Sequence, residues 1–121
     1  MKKITILLLS AFAVTAASAQ TSIELKDIGA HIGDSVRVCG TVYGGRFFAK
    51  DSLTLLNVGG LYPNQLLTVL LRPEARVALT GSPETDLKDK TICVTGKVIL
   101  YHDKPEIIVY RRDQVGEVPK Q

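Results

Sequence analysis

The chain has 121 residues, 45% of them hydrophobic and 22% charged, with two cysteines and two histidines. That length fits one small domain with one core and is too short for two. A formal charge of +3 does not mark a polyanion-binding protein by electrostatics alone, and Cys39, Cys93, His31 and His102 lack the spacing of a zinc set, which takes about four ligands.

The first residues, MKKITILLLSAFAVTAASAQ, place Lys2 and Lys3 before an apolar run from Ile4 to Val14 and end in Ala17-Ser18-Ala19. This is the pattern of a secretory signal peptide, residues 1–19, with an A-x-A cleavage site. The apolar run is about half of the roughly 20 residues that span a bilayer, which argues against a membrane anchor. No cysteine stands near the cleavage site, so lipidation is not expected. The expected mature protein, residues 20–121, is a single domain, periplasmic or secreted, without membrane insertion. Losing Lys2 and Lys3 lowers its net charge from +3 to +1.

Between Thr21 and His31, the apolar Ile23, Leu25 and Ile28, followed by Ile32, suggest a short amphipathic helical segment closed by Gly33. Ser35–Tyr43 alternates Val36, Val38 and Val42 with Arg37, Cys39 and Thr41, as a half-buried strand does. Gly44-Gly45 breaks that pattern, and a second strand runs over Leu53–Val58 after an irregular start at Arg46. A turn through Tyr62-Pro63 leads to a third strand, Leu66–Leu71, apolar on both faces.

Arg72–Asp89 holds Pro73, Gly81 and Pro83 and reads as a connection with a short helix around Glu74–Leu79; Glu84, Asp86 and Asp89 read as solvated. Thr91–Tyr101 is the fourth strand and Glu106–Arg111 the fifth, joined by the turn-forming run His102-Asp103-Lys104-Pro105. The polar tail VGEVPKQ is expected to fray. Five antiparallel strands with a long third-to-fourth connection predict an all-β, OB-type barrel with a short N-terminal helical segment.

Val36-x-Val38-x-Gly40-x-Val42 and Ile92-x-Val94-x-Gly96-x-Val98 share one spacing. In such a barrel the first and fourth strands are antiparallel neighbours, so two similar curved strands, each bending at an interior glycine, face each other. The register that sets Val38 opposite Val94 also sets Gly40 opposite Ile92 and Cys39 opposite Cys93, with both cysteines on the outer face. Export makes a Cys39–Cys93 disulfide the expected state, the alternative being two packed thiols.

The segments GDSVRVCGTV (33–42), LNVGGLYPNQLLTV (56–69) and KTICVTGKVILYHDKPEIIV (90–109) resemble a family of small exported bacterial OB-fold proteins of the tRNA-anticodon-binding-like group. The resemblance covers roughly Ile32–Val115 and implies a nucleic-acid-binding domain of the OB fold. The turn after Tyr101 departs from the family's usual Arg-Gly-Lys-Pro, with His102 and Asp103 in place of the first two residues. That exchange weakens a phosphate contact there.

No serine nucleophile elbow, sequence-adjacent Cys–His pair, P-loop or HExxH motif is present, and no Asp-Thr-x-Glu segment supplies the clustered carboxylates of a secreted OB nuclease. A non-catalytic protein without cofactor or metal is expected. OB domains grip ligands on the face of the second and third strands, flanked by the first-to-second and fourth-to-fifth connections. Tyr43, Arg46, Phe47, Phe48 and Lys50 fall in the first connection, Tyr101, His102 and Lys104 in the second, and Tyr62 in the turn between.

Aromatic rings mixed with bases suit single-stranded nucleic acid, bound weakly. The alternating pattern assigns one of Phe47 and Phe48 to the core. A protein partner is the alternative, on the third-strand face that Leu66 and Leu70 share. A further alternative is a small-ligand domain resembling the exported bacterial OB-fold stress proteins.

Overall fold

Along the chain run β1 (Thr21–Ile23), a 3-10 segment (Leu25–His31), β2 (Ser35–Phe48), β3 (Leu53–Val58) and β4 (Leu67–Leu71). Then come α1 (Pro73–Leu79), α2 (Pro83–Asp86), β5 (Thr91–Tyr101), β6 (Lys104–Val109), a 3-10 turn (Arg112–Gln114) and β7 (Val115–Glu117). This computed structural model describes residues 21–118; the expected signal peptide, residues 1–19, lies outside the described residues, as do residues 119–121 of the tail.

The alternating valines set the ring. Val36, Val38 and Val42 of β2 and Ile92, Val94 and Val98 of β5 are all buried. β2 pairs antiparallel with β5 over Ser35–Thr41, in the register expected from the sequence: Val38 opposite Val94, Gly40 opposite Ile92 and Cys39 opposite Cys93. The two cysteines form a disulfide. Past Thr41, β2 leaves β5 and pairs with β3; β3 pairs with β4, β4 with β6 and β6 with β5. Five strands thereby form a partly closed ring of OB type within a seven-stranded sheet.

The expected wholly antiparallel barrel is corrected. β4 and β6 run parallel, and the reason is arithmetical: strand direction cannot alternate all the way around a closed ring with an odd number of members. Two three-residue strands also widen the sheet, β1 parallel beside β2 and β7 antiparallel beside β5. The tail expected to fray is therefore paired as far as Glu117, and the Val118 N–H donates to the Thr91 carbonyl at 2.9 Å.

The N-terminal segment is a strand and a 3-10 turn rather than an α-helix. It buries Ile28 and packs Ile23 and Leu25 against the core, and Gly33, at φ +92°, ends it in the left-handed conformation that glycine adopts without steric cost. The duplicated glycines make room for such packing. A Cβ on Gly40 would lie 2.7 Å from both Leu25 Cδ2 and Val58 Cγ1, and one on Gly96 2.7 Å from Ile107 Cγ2.

Three further expectations shift. β2 does not break at Gly44-Gly45 but bulges at Tyr43 and continues to Phe48, so Arg46, Phe47 and Phe48 are strand residues and the β2–β3 connection shrinks to residues 49–52. Gly45 permits this close pairing, since a Cβ there would meet the Leu55 carbonyl oxygen at 2.4 Å. β6 starts at Lys104 and ends at Val109, which leaves His102 and Asp103, both at positive φ, as a two-residue hairpin turn. Glu84, expected in a solvated loop, pairs with Arg76 between α2 and α1.

Candidate functional site

Alternation along β3, β4 and β6 sends Leu56, Leu67, Val69, Ile107 and Val109 into the core, so Leu55, Asn57, Thr68 and Glu106 fall on the outer face. These four floor a groove of about 380 Å³. One wall is Phe48, at the end of β2. Tyr62, Pro63 and Gln65 of the β3–β4 turn form another, and Tyr101 with His102 of the β5–β6 hairpin a third. Tyr101 and His102 meet edge to face, ring centroids 4.2 Å apart. Lys104 stands at the lip, its Nζ donating to the Pro63 carbonyl and tying hairpin to turn.

The floor is polar but incompletely bonded. Gln65 is 7% exposed; its Nε2 donates to Thr68 Oγ1 at 3.0 Å, while its Oε1 is buried without a hydrogen-bond partner. Thr68 lies opposite Glu106 in the parallel β4–β6 ladder. Glu106 is 5% exposed, and burial pushes its carboxyl above the usual carboxylate range with no hydrogen bond or charge opposing the shift.

The comparisons with known proteins agree on the fold. No protein-family model matches the chain, and no curated protein sequence matches it. Among solved structures, a protein of Leishmania major Friedlin described as an aspartyl-tRNA synthetase superimposes with a TM-score of 0.60 at 12% identity, over 89% of this chain and 22% of that one. Yeast Stn1 and Ten1 give 0.58 at 16% identity, over 86% and 65%. The S. pombe Stn1–Ten1 complex gives 0.53 at 14% identity, over 71% and 59%. This chain thus spans less than two thirds of each of those chains, and identities this low establish a shared OB-type fold alone.

Of the residues singled out from sequence, the structure gathers Phe48, Tyr62, Tyr101 and Lys104 around the groove. Arg46 joins them from the rim, its guanidinium 4.8 Å from the centre of the Phe48 ring. Tyr43, at the β2 bulge, and Lys50, in the β2–β3 connection, are exposed and do not line it. Phe47 faces the other way, beneath the guanidinium of Arg76 at 3.6 Å. Neither phenylalanine is fully buried, so the expected core residue is instead the one capped by Arg76.

Arg76 also donates to Thr54 Oγ1 at 2.8 Å and bridges to Glu84, which makes Phe47 part of a latch between crossover and barrel. The leucine face expected on β4 is interrupted by Thr68, with Leu70 half-buried and Leu66 just outside the strand. Sequence reasoning missed Gln65, Thr68 and Glu106. The signal for Glu106 was its place one residue before the inward Ile107, an acid on the outer side of an apolar strand.

Proposed function

We propose that the chain is an exported, non-catalytic OB domain that binds single-stranded nucleic acid across the β3–β4–β6 groove. The observation that supports this reading best is the convergence of Phe48, Tyr62 and Tyr101, from three separate parts of the chain, around one open groove. An aromatic–base stack is worth roughly 1–3 kcal/mol and tolerates any base. Arg46, Lys50 and Lys104 follow the phosphates outside the rings. Export is supported by the pattern of residues 1–19 and by the disulfide, a bond that persists in oxidising compartments. One structural neighbour is described by its name as a tRNA synthetase, consistent with nucleic acid as the ligand.

Titrating labelled oligonucleotides at several salt concentrations tests this. Log affinity should fall against log salt with a slope near 0.7 per neutralised phosphate. Arg46→Ala/Lys50→Ala should flatten the slope, and Tyr62→Ala/Tyr101→Ala should weaken binding at every salt. No binding by the parent at low salt would overturn the reading. A protein partner then becomes the better one, on the exposed Leu61 and Leu66 of the β3–β4 turn that walls the groove; Stn1 and Ten1 form a complex with each other.

A further inference from the structure

A charged side chain on the outer face of a strand ordinarily reaches water, yet Glu106 is 5% exposed on the groove floor. Drawing a carboxyl out of water costs free energy. The neighbouring orphan, Gln65 Oε1, carries the same kind of cost. This chain does satisfy buried amides elsewhere: Gln114, 8% exposed, donates to the Thr95 and Ile108 carbonyls and accepts from the Tyr110 and Arg111 N–H groups. Among the described residues, the one buried side-chain polar atom without a hydrogen-bond partner, Gln65 Oε1, therefore lies in the groove, adjoining Glu106 through Thr68, which bonds Gln65 and lies opposite Glu106.

A carboxylate and an amide oxygen are both acceptors. Whatever completes this floor brings N–H donors and no negative charge, so a phosphate does not fit there, and the aromatic walls favour a flat ring. We propose that the floor is a pocket for one guanine base, with the Glu106 carboxylate accepting from its N1–H and N2–H and Gln65 Oε1 accepting from the second N2 hydrogen. The proposal rests on the nucleic-acid reading above and adds base selectivity to it. Guanine alone among the common bases presents two N–H donors side by side on its Watson–Crick edge, matching the two oxygens of a carboxylate. Cytosine and adenine set a ring-nitrogen acceptor beside their amino group, and thymine flanks its single N–H with two carbonyl oxygens; each opposes an ionised Glu106.

The test compares, on the purified chain, an oligothymidine with the same strand carrying one central guanine, inosine, adenine or cytosine. Inosine keeps N1–H and loses the N2 amine. The guanine strand should bind about tenfold tighter than oligothymidine, within what a good bidentate base contact discriminates, and inosine should lose most of that gain. Glu106→Gln, which keeps shape and removes charge, should bind the guanine strand and oligothymidine with equal affinity.

Equal binding of all strands by the parent, or a guanine preference surviving in Glu106→Gln, overturns the pocket while leaving the nucleic-acid reading intact. Binding of no strand overturns both. Guanosine monophosphate competing as well as the guanine strand supports the pocket and moves the ligand from a strand to a free nucleotide.

Discussion

Cys39 and Cys93 stand directly opposite each other on β2 and β5 and are joined through their sulfurs, closing a sequence separation of 54 residues. The bond ties together the two strands with the longest mutual pairing in the ring, in the half of each where they pair with each other.

In the chain-entropy account a loop of that length contributes about 4 kcal/mol. The protein recovered from an oxidising compartment should therefore take up no alkylating reagent without reduction, as read by intact mass. Cys39→Ala/Cys93→Ala should lower the urea midpoint without changing the oligonucleotide salt slope. Two alkylated cysteines in folded, exported protein would contradict the assignment.

Gly40→Val and Gly96→Val press side chains against Leu25 and Val58 in one case and Ile107 in the other. Overpacking typically costs about 1–3 kcal/mol, and about 1 kcal/mol shifts the melting temperature of a domain this size by roughly 4–8 °C. Each variant should melt several degrees lower by circular dichroism. A control at Gly81, where an added Cβ meets nothing within 4 Å, should melt near the parent as Gly81→Ala.

Arg76 caps Phe47, donates to buried Thr54 and pairs with Glu84. Arg76→Ala should cost about 2–3 kcal/mol in urea denaturation, below the ~3–5 kcal/mol of a fully buried pair, because both charged side chains keep some solvent contact. Its hydrogen bond to Arg76 holds the Glu84 carboxyl below its ordinary value of 4.5. That contribution is present above the ordinary value and is lost as pH falls through the lowered one. Arg76→Ala should remove this acid-side loss from the stability profile.

Glu106 runs the opposite way. Its carboxyl is raised above 4.5 by burial, so the folded state holds its proton longer than the unfolded chain does, and stability falls as pH rises from the unfolded value through the folded one. Glu106→Gln should melt higher than the parent at neutral pH and level with it in acid. Equal melting at both pH values would show that the carboxyl is not desolvated.

Much of the ring was legible because β2 and β5 announce themselves by period-two valines, and one register satisfies Val38, Val94 and both cysteines at once. The parallel β4–β6 pair was not legible, since nothing in LTVLL or KPEIIV encodes direction; closure around an odd ring imposes it. Gly45 read as a break because a glycine pair ordinarily interrupts a strand, whereas here the missing side chain lets the Leu55 carbonyl approach. Phe48, Tyr62, Tyr101 and Lys104 were legible as aromatic and basic residues near connections. Glu106 was not, because a lone acid on an outer strand face is ordinarily solvated, and only the walls from distant segments bury it.

β2 and β5 pair through their first halves and then diverge in opposite directions, each curling around the barrel until Phe48 and Tyr101 come to flank the same groove. The two strands act as a strung bow whose tips are the jaws. The span between the jaws follows the course of each limb, and side chains pack closely on Gly40, eight residues before Phe48, and on Gly96, five residues before Tyr101. A bulky substitution at either glycine, outside the groove lining, would press on a limb that carries a jaw without altering a single residue of the jaws.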